Sequence, residues 1–338
     1  MIIDGREIGT QVPPYIVIEI GAGWQHFDPL GSCISLMKAA KDAGADAVKI
    51  QLYRPEDLVP DRLPPGVEEK LLAGSPWAGA TLKEIYEKGS LPEDIVPGLF
   101  EAARGMGITL FSSVFSPRVI PMLESLRCPA YKIGSAEFNY DELLWAVSAT
   151  NKPAIVSTGM SSLDEVLQAW AAFNECAFLH CAAQYPADAG AAELSRISRL
   201  KAHVDSELVG LSDHTRGSAA AIIAVALGAT IVEKHVALPM TLDAGFALRT
   251  YELAPFVESV REAWNALQAP RGSHSAPASS MTGLKRSVRA TRDIAQGEVL
   301  TRENVAVLRP AGGARPQSLH LLLGAHAGRD FKMGDGVD

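Results

Sequence analysis

The chain has 338 residues, of which 47% are hydrophobic and 21% charged, with a formal net charge of -8 at pH 7. This is a globular balance, long enough for two domains or for one barrel with an appendage. The acidic excess argues against a nucleic-acid partner, and no apolar run reaches the ~18 residues of a membrane span.

The first stretch, MIIDGREIGTQVPP, is polar and turn-rich and has no signal-peptide pattern. Cys33, Cys128, Cys176 and Cys181 form no CxxC pair, which predicts reduced thiols and a cytoplasmic location. From Tyr15 onward, short β-rich runs recur: YIVIEI (15–20), DAVKIQLY (46–53), ITLFSS (108–113), AYKIGS (130–135), AIVST (154–158), AFLHCA (177–182), LVGLSD (208–213) and ATIVEKH (229–235). Amphipathic segments such as SCISLMKAAKDAGA and SLDEVLQAWAAFNE lie between them, several closing on the Gly that caps a helix. Eight strand–helix units predict a parallel α/β fold, a (β/α)8 TIM barrel over residues 1–268. One unit is long: residues 54–90 are Pro-rich and carry a tryptophan, which predicts an insertion at the substrate-facing end. After the helix APFVESVREAWNALQA, the stretch PRGSHSAPASSMTG predicts a linker, set at 269–284, and residues 285–338 a small second unit of short strands and turns.

In such a barrel the C-terminal strand ends form the active mouth. His214 follows LVGLSD and His235 ends ATIVEKH, so the two would meet there from neighbouring strands. Either alone reads as a hydrogen-bonded core histidine; together, two neutral imidazoles suit a catalytic divalent metal. Asp213 and Glu233 would orient these rings or cap loops. Glu19 ends the first strand and Lys49 and Gln51 the second; Ser112 and Ser113, then Lys132, Ser135 and Glu137, then Ser157, Thr158 and Gly159, and finally Ser212 follow at later strand ends. Singly these are loop caps and solvated lysines, but two lysines, several hydroxyls and a Gly-bearing turn together describe a phosphate site.

Quoted in order, IEIGAG, AAKDAGADAVKIQ, LFSSVF, AYKIGSAE, KPAIVSTGM, LHCAAQYP and VGLSDHTRGSAAAIIAVALGATIVEKH resemble the sialic acid synthase family, which includes N-acetylneuraminate and pseudaminic acid synthases. The tail SVRATRDIAQGEVLTRENVAVLRP is similar to that family's antifreeze-like SAF domain, a β-clip. The resemblance implies a transferase that condenses phosphoenolpyruvate with an open-chain N-acyl amino sugar, N-acetylmannosamine-like or a 2,4-diacetamido-trideoxyhexose, and releases phosphate. It implies Mn²⁺ or Mg²⁺ on His214 and His235, and phosphate contacts from Ser113, Lys132, Ser135, Ser157 and Ser212. Lys49 would face the enolpyruvate carboxylate, Glu137 and Gln51 would lie between the substrates, and Glu19, Tyr185 and Asp243 would face the sugar. Arg309 would be offered to the sugar of a partner subunit, which implies a domain-swapped homodimer.

The chain departs from the family pattern in three places. Gly23-Trp24-Gln25-His26 stands where an Asn-His-Asn-Gly turn is usual, Ala182-Ala183 replaces a Thr-Asn or Thr-Ser pair, and the stretch from His235 to Asp243 is short. SPWAGATLKEIYEKGS (75–90) and DAGFAL resemble the pseudaminic acid branch. Two alternatives stand beside this reading: a related barrel that condenses phosphoenolpyruvate with a sugar phosphate, and an inactive sugar-binding descendant. The departures favour the descendant; retention of Lys49, Lys132, Glu137 and both histidines argues against it.

Overall fold

A two-residue hairpin opens the chain, with β1 (Ile2–Ile3) antiparallel to β2 (Arg6–Glu7) across the positive-φ pair Asp4 and Gly5. The eight β-rich runs then form eight strands: β3 (Tyr15–Glu19), β4 (Ala47–Leu52), β5 (Thr109–Val114), β6 (Tyr131–Ile133), β7 (Ala154–Ser157), β8 (Cys176–Cys181), β9 (Val209–Asp213) and β10 (Ile231–His235). Each pairs in parallel with the next, and β10 pairs with β3 to close the barrel. The computed structural model describes residues 1–67, 75, 77–173, 175–204, 206–268 and 283–338. The chain divides into two compact units, Met1–Gln268 and Ala269–Asp338; the predicted linker lies, up to residue 282, outside the described residues.

Hydrophobic periodicity explains the outer layer. It comprises α1 (Pro29–Asp42), α2 (Leu82–Gly89), α3 (Val96–Met106), α4 (Ile120–Ser125), α5 (Asp141–Ser148), α6 (Leu163–Trp170), α7 (Ser195–Val204), α8 (Ala219–Ala226) and α9 (Leu253–Leu267). In α1, Cys33, Leu36, Met37 and Ala40 recur at helical spacing and are buried, and Asp28 caps the helix by accepting from the Gly31 amide. In α2, Thr81 and Glu84 close a capping box, so this helix of the long insertion is anchored at its start. The four cysteines are free and buried. No helix among the described residues is long and apolar enough to cross a membrane.

The strand period of two decides which strand-end residues reach the barrel interior. On β10, Glu233 and His235 point inward and Lys234 outward; on β9 and its extension, Ser212 and His214 point inward and Asp213 outward. Lys234 and Asp213 then pair with one another behind the strands, 2.8 Å apart and buried. Asp213 therefore orients neither imidazole: its carboxylate also accepts from the amide and hydroxyl of Thr215 and so shapes the loop after β9.

The second unit pairs β11 (Ser287–Ala290) antiparallel with β12 (Val305–Leu308), and a one-turn α10 (Leu319–Leu322) follows. Its core is small, built from Val288, Ala290, Ile294, Leu300, Val305, Ala327, Phe331 and Val337.

Candidate active site

The inward strand ends line a cleft of about 690 Å³ up to its open mouth. Glu19, Lys49, Gln51, Ser113, Lys132, Ser135, Glu137, Ser157, Tyr185, Ser212, His214 and His235 all face it. Twelve residues scattered from position 19 to 235 converge because each sits at the same end of a parallel strand or in the loop that follows. Asp243 adjoins the cleft from the segment after β10. Arg309 lies exposed in the second unit.

Register places the charges in contact. Glu19 lies opposite Lys49 on β4 and opposite His235 on β10. Lys49 Nζ is 3.0 Å from Glu19 and 2.9 Å from Glu233, while Gln51 donates to Glu19 at 2.7 Å. Lys132 donates to Ser157 at 2.8 Å, and Ser212 donates to Glu233 at 2.8 Å. Ser135 accepts from the Met160 amide at 2.7 Å, which ties the loop after β6 to the loop after β7. Glu233 is thus the carboxylate at the centre of the lysine pair. Sequence reading offered it only as an imidazole orienter or loop cap, although its place two residues before an inward His235 already fixed its direction.

The two rings are set differently. Their centroids are 5.7 Å apart. His214 meets the Ala182 carbonyl through Nδ1 at 2.8 Å and stacks on Tyr185 at 4.2 Å. The Ala182 side chain takes no part in this contact, which the backbone carbonyl makes. His235 meets Asp243 through Nδ1 at 3.1 Å and Glu19 through Nε2 at 3.0 Å. Gly21 permits this approach: a Cβ there would lie 2.4 Å from Asp243 Oδ2 and 2.9 Å from His235 Nδ1.

Burial disfavours charge on either ring. For His214 it prevails, helped by repulsion from His235, and the imidazole is pushed down to about 3. For His235 burial is outweighed by Glu19 and Asp243, and the ring is raised to about 10. Burial of Glu19 is likewise outweighed by His235 and Lys49, which hold its carboxyl well below the usual range. Burial lowers Lys132, with Lys49 adding to the effect against Glu233. Burial raises Glu137 against the pull of Lys132, which leaves it better able to carry a proton near neutrality.

Each imidazole is anchored through Nδ1, and its Nε2 meets a side chain that lines the cleft: Ser212 at 3.4 Å for His214 and Glu19 at 3.0 Å for His235. Among the described residues no group of three or more His, Cys, Asp or Glu is arranged to hold a metal ion. Without a cation, a proton on His235 fills the gap to Glu19. The folded protein keeps that proton up to about 10, whereas an unfolded chain releases it near 6.5. The stability it confers is complete below about 6.5 and is lost as pH rises toward 10. Cation-free protein should accordingly melt at progressively lower temperature above pH 6.5, and His235→Gln should flatten that slope. A wild-type melting temperature constant to pH 9 would exclude the imidazolium.

Comparison with known proteins places this chain in a family. The NeuB family model matches residues 36–271 and the SAF domain model residues 285–337. The chain is 35% identical over 336 residues to a pseudaminic acid synthase of Campylobacter jejuni, spanning 97% of this chain and 96% of that protein. It is 33% identical to a pseudaminic acid synthase of Helicobacter pylori, at 95% of both. The crystal structure of an N-acetylneuraminic acid synthetase from Leptospira borgpetersenii, in complex with citrate, superposes with a TM-score of 0.69 at 26% identity, over 83% of this chain and 93% of that one. With a closed parallel barrel, a C-terminal SAF domain and relatives matched along nearly their whole length, the chain belongs to the NeuB family.

Proposed function

We propose that the protein condenses phosphoenolpyruvate with an open-chain N-acyl amino sugar to give a nonulosonic acid and phosphate. One observation carries this reading: a buried lysine pair ringed by serines lies in the same cleft as two anchored imidazoles. The family's relatives named as pseudaminic acid synthases support it.

Lys132, with Ser113, Ser135, Ser157 and Ser212, would bind the phosphate, and Lys49 the carboxylate. Glu19, Tyr185 and Asp243 would hold the sugar, and Gln51, fixed by its bond to Glu19, would sit between the substrates. His214 and His235 would hold a divalent cation, Mn²⁺ or Mg²⁺, whose charge stabilises the alkoxide developing on the aldehyde oxygen. C3 of the enolpyruvate forms the new bond to the aldehyde carbon, and the cation left at C2 takes up water. Cleavage of the C2–O bond then releases phosphate and leaves an α-keto acid. Of the water's two protons, one ends on the new hydroxyl and one on the phosphate, and Glu137 would relay them. Alignment of two substrates in one cleft supplies much of the acceleration. Arg309 would serve the sugar of a partner subunit in a domain-swapped homodimer.

The acceptor side favours the deoxy sugar of the two candidates. Trp77, Ile85, Tyr86, Phe115, Leu242 and Phe246 wall an apolar annex of about 950 Å³ up to its open mouth, beside the cleft. Trp77, Ile85, Tyr86 and Phe246 come from the two stretches that resemble the pseudaminic acid branch. An apolar wall discriminates against an added hydroxyl by up to about 100-fold, so a 2,4-diacetamido-2,4,6-trideoxyhexose should outpace N-acetylmannosamine in kcat/KM by about 10- to 100-fold. Phosphate release in the presence of Mn²⁺ and phosphoenolpyruvate tests the whole reading. Absence of release with every 2-acetamido and 2,4-diacetamido hexose would overturn it, and release only with phosphorylated sugars would favour the sugar-phosphate enzyme. Lys132→Ala should raise the KM for phosphoenolpyruvate about 30-fold or more, because it removes one buried charged partner of the anion. An unchanged KM would contradict the phosphate assignment.

A further inference from the structure

The turn after β3 reads Gly23-Trp24-Gln25-His26, in place of the family's Asn-His-Asn-Gly. It forms a clip. A Cβ at Gly23 would lie 2.2 Å from the Val236 carbonyl oxygen, so only glycine lets the turn pack on the segment after β10. The Gly23 carbonyl accepts from the Leu238 amide at 2.9 Å, and Trp24 is buried in the barrel core. Gln25 then reaches in two directions: its Nε2 donates to the Lys88 carbonyl at 2.5 Å, and its Oε1 accepts from the Leu242 amide at 2.7 Å. Lys88 belongs to the last turn of α2. The carbonyl of Leu242 accepts in turn from the Trp77 indole at 3.4 Å. The next residue, Asp243, accepts from the Ala22 amide at 3.0 Å and meets His235 Nδ1 at 3.1 Å.

A continuous chain of bonds therefore runs from Gln25 through Leu242 and Asp243 to His235. A primary amide can donate to one backbone carbonyl and accept from another residue's backbone amide without charge, through atoms at opposite sides of one planar group. We propose that Gln25 is a positioning residue for the acceptor side of the cleft. Through Leu242 and Asp243 it fixes the ring of His235, and through Lys88 it holds α2 against the apolar annex. The phosphate side does not depend on it, since Lys132 is held by Ser157 and stands near Glu233. The kind of substrate rests on the synthase reading above; the linkage to His235 rests on geometry alone.

Two substitutions separate the bonds. Gln25→Leu removes both, and Gln25→Glu keeps the acceptor for the Leu242 amide while losing the donor to Lys88. Kinetics with 2,4-diacetamido-2,4,6-trideoxyhexose and N-acetylmannosamine, and calorimetric titration with Mn²⁺, read the consequences. Groups that orient a metal ligand typically govern 10- to 100-fold in affinity, so Gln25→Leu should weaken Mn²⁺ about 10-fold and raise the sugar KM by a similar factor. The KM for phosphoenolpyruvate should stay within about twofold, and Gln25→Glu should recover the Mn²⁺ affinity. A purely structural role would shift the melting temperature and leave this split undisturbed. Unchanged Mn²⁺ affinity and sugar KM in Gln25→Leu, or an equal rise in both substrate KM values, would overturn the proposal. A wild type that binds Mn²⁺ but turns over no sugar sinks the synthase reading alone, and the titration still decides Gln25. A wild type that does neither overturns both.

Discussion

His235→Ala should lower kcat by about 10³-fold or more, the scale lost when one preorganised electrostatic group is removed from a reaction that develops charge. His214→Ala should do the same. The two variants should nonetheless differ in stability, because the rings carry different charge. His214 is neutral, bonded to a backbone carbonyl and stacked on Tyr185, so its removal loses packing and one hydrogen bond. Without a bound cation, His235 is raised by Glu19 and Asp243 to about 10 and stands protonated between the two carboxylates near neutrality. Its removal leaves Glu19 with Lys49 and Gln51, and Asp243 with the Ala22 amide, so both acids keep a partner and the barrel holds. Only His235→Ala should lose the alkaline slope of the melting temperature. Phosphate release under saturating substrates, calorimetry with Mn²⁺ and thermal unfolding across pH measure the three effects. Ordinary turnover in either variant would remove the imidazole pair from the mechanism.

The barrel was legible because its signals are local. Each β-rich run stands between turn residues, and eight of them leave one closed arrangement in which consecutive strands are neighbours. The convergence of Lys49, Lys132, His214 and His235 followed from strand ends alone. What a run of letters hides is apposition over long separations. Glu233 was readable by direction, but its role was not, because nothing near it names Lys49 or Lys132 as partners 184 and 101 positions away. The apolar annex takes Leu82, Ile85 and Tyr86 at helical spacing from one face of α2, but nothing in that spacing names Leu242 or Phe246 as its partners. The departures were visible and their consequences were not. The Ala182 carbonyl holds His214, and Gln25 bridges two segments, Lys88 and Leu242, that a reading of its own turn does not connect.

Lys49→Met should destabilise the fold by about 3–5 kcal/mol, the cost of stranding buried charge when one partner is removed. Lys49 is 2% exposed and bridges Glu19 and Glu233, themselves 2% and 1% exposed. Burial opposes its charge, and the two carboxylates outweigh burial and raise the ammonium above its usual value. Glu233 would retain Lys132 only at 3.9 Å, so the loss falls mainly there. The carboxylates should then protonate more readily, and the variant should unfold at higher pH than wild type on acidification, because their stabilisation is lost as pH falls through their folded values. Adding Glu233→Gln removes the stranded charge and keeps the acceptor for the Ser212 hydroxyl. The double variant should regain at least half of the lost stability and none of the activity. That split separates the observed task of Lys49, neutralising its carboxylate neighbours, which removing one of their charges makes unnecessary, from its proposed task, binding an anionic substrate, which needs the positive charge itself. Denaturant unfolding with the KM for phosphoenolpyruvate reads both. A Lys49→Met protein as stable as wild type would show that the bridge is not the buried charge pair described above, and a double variant with restored turnover would exclude Lys49 from substrate binding.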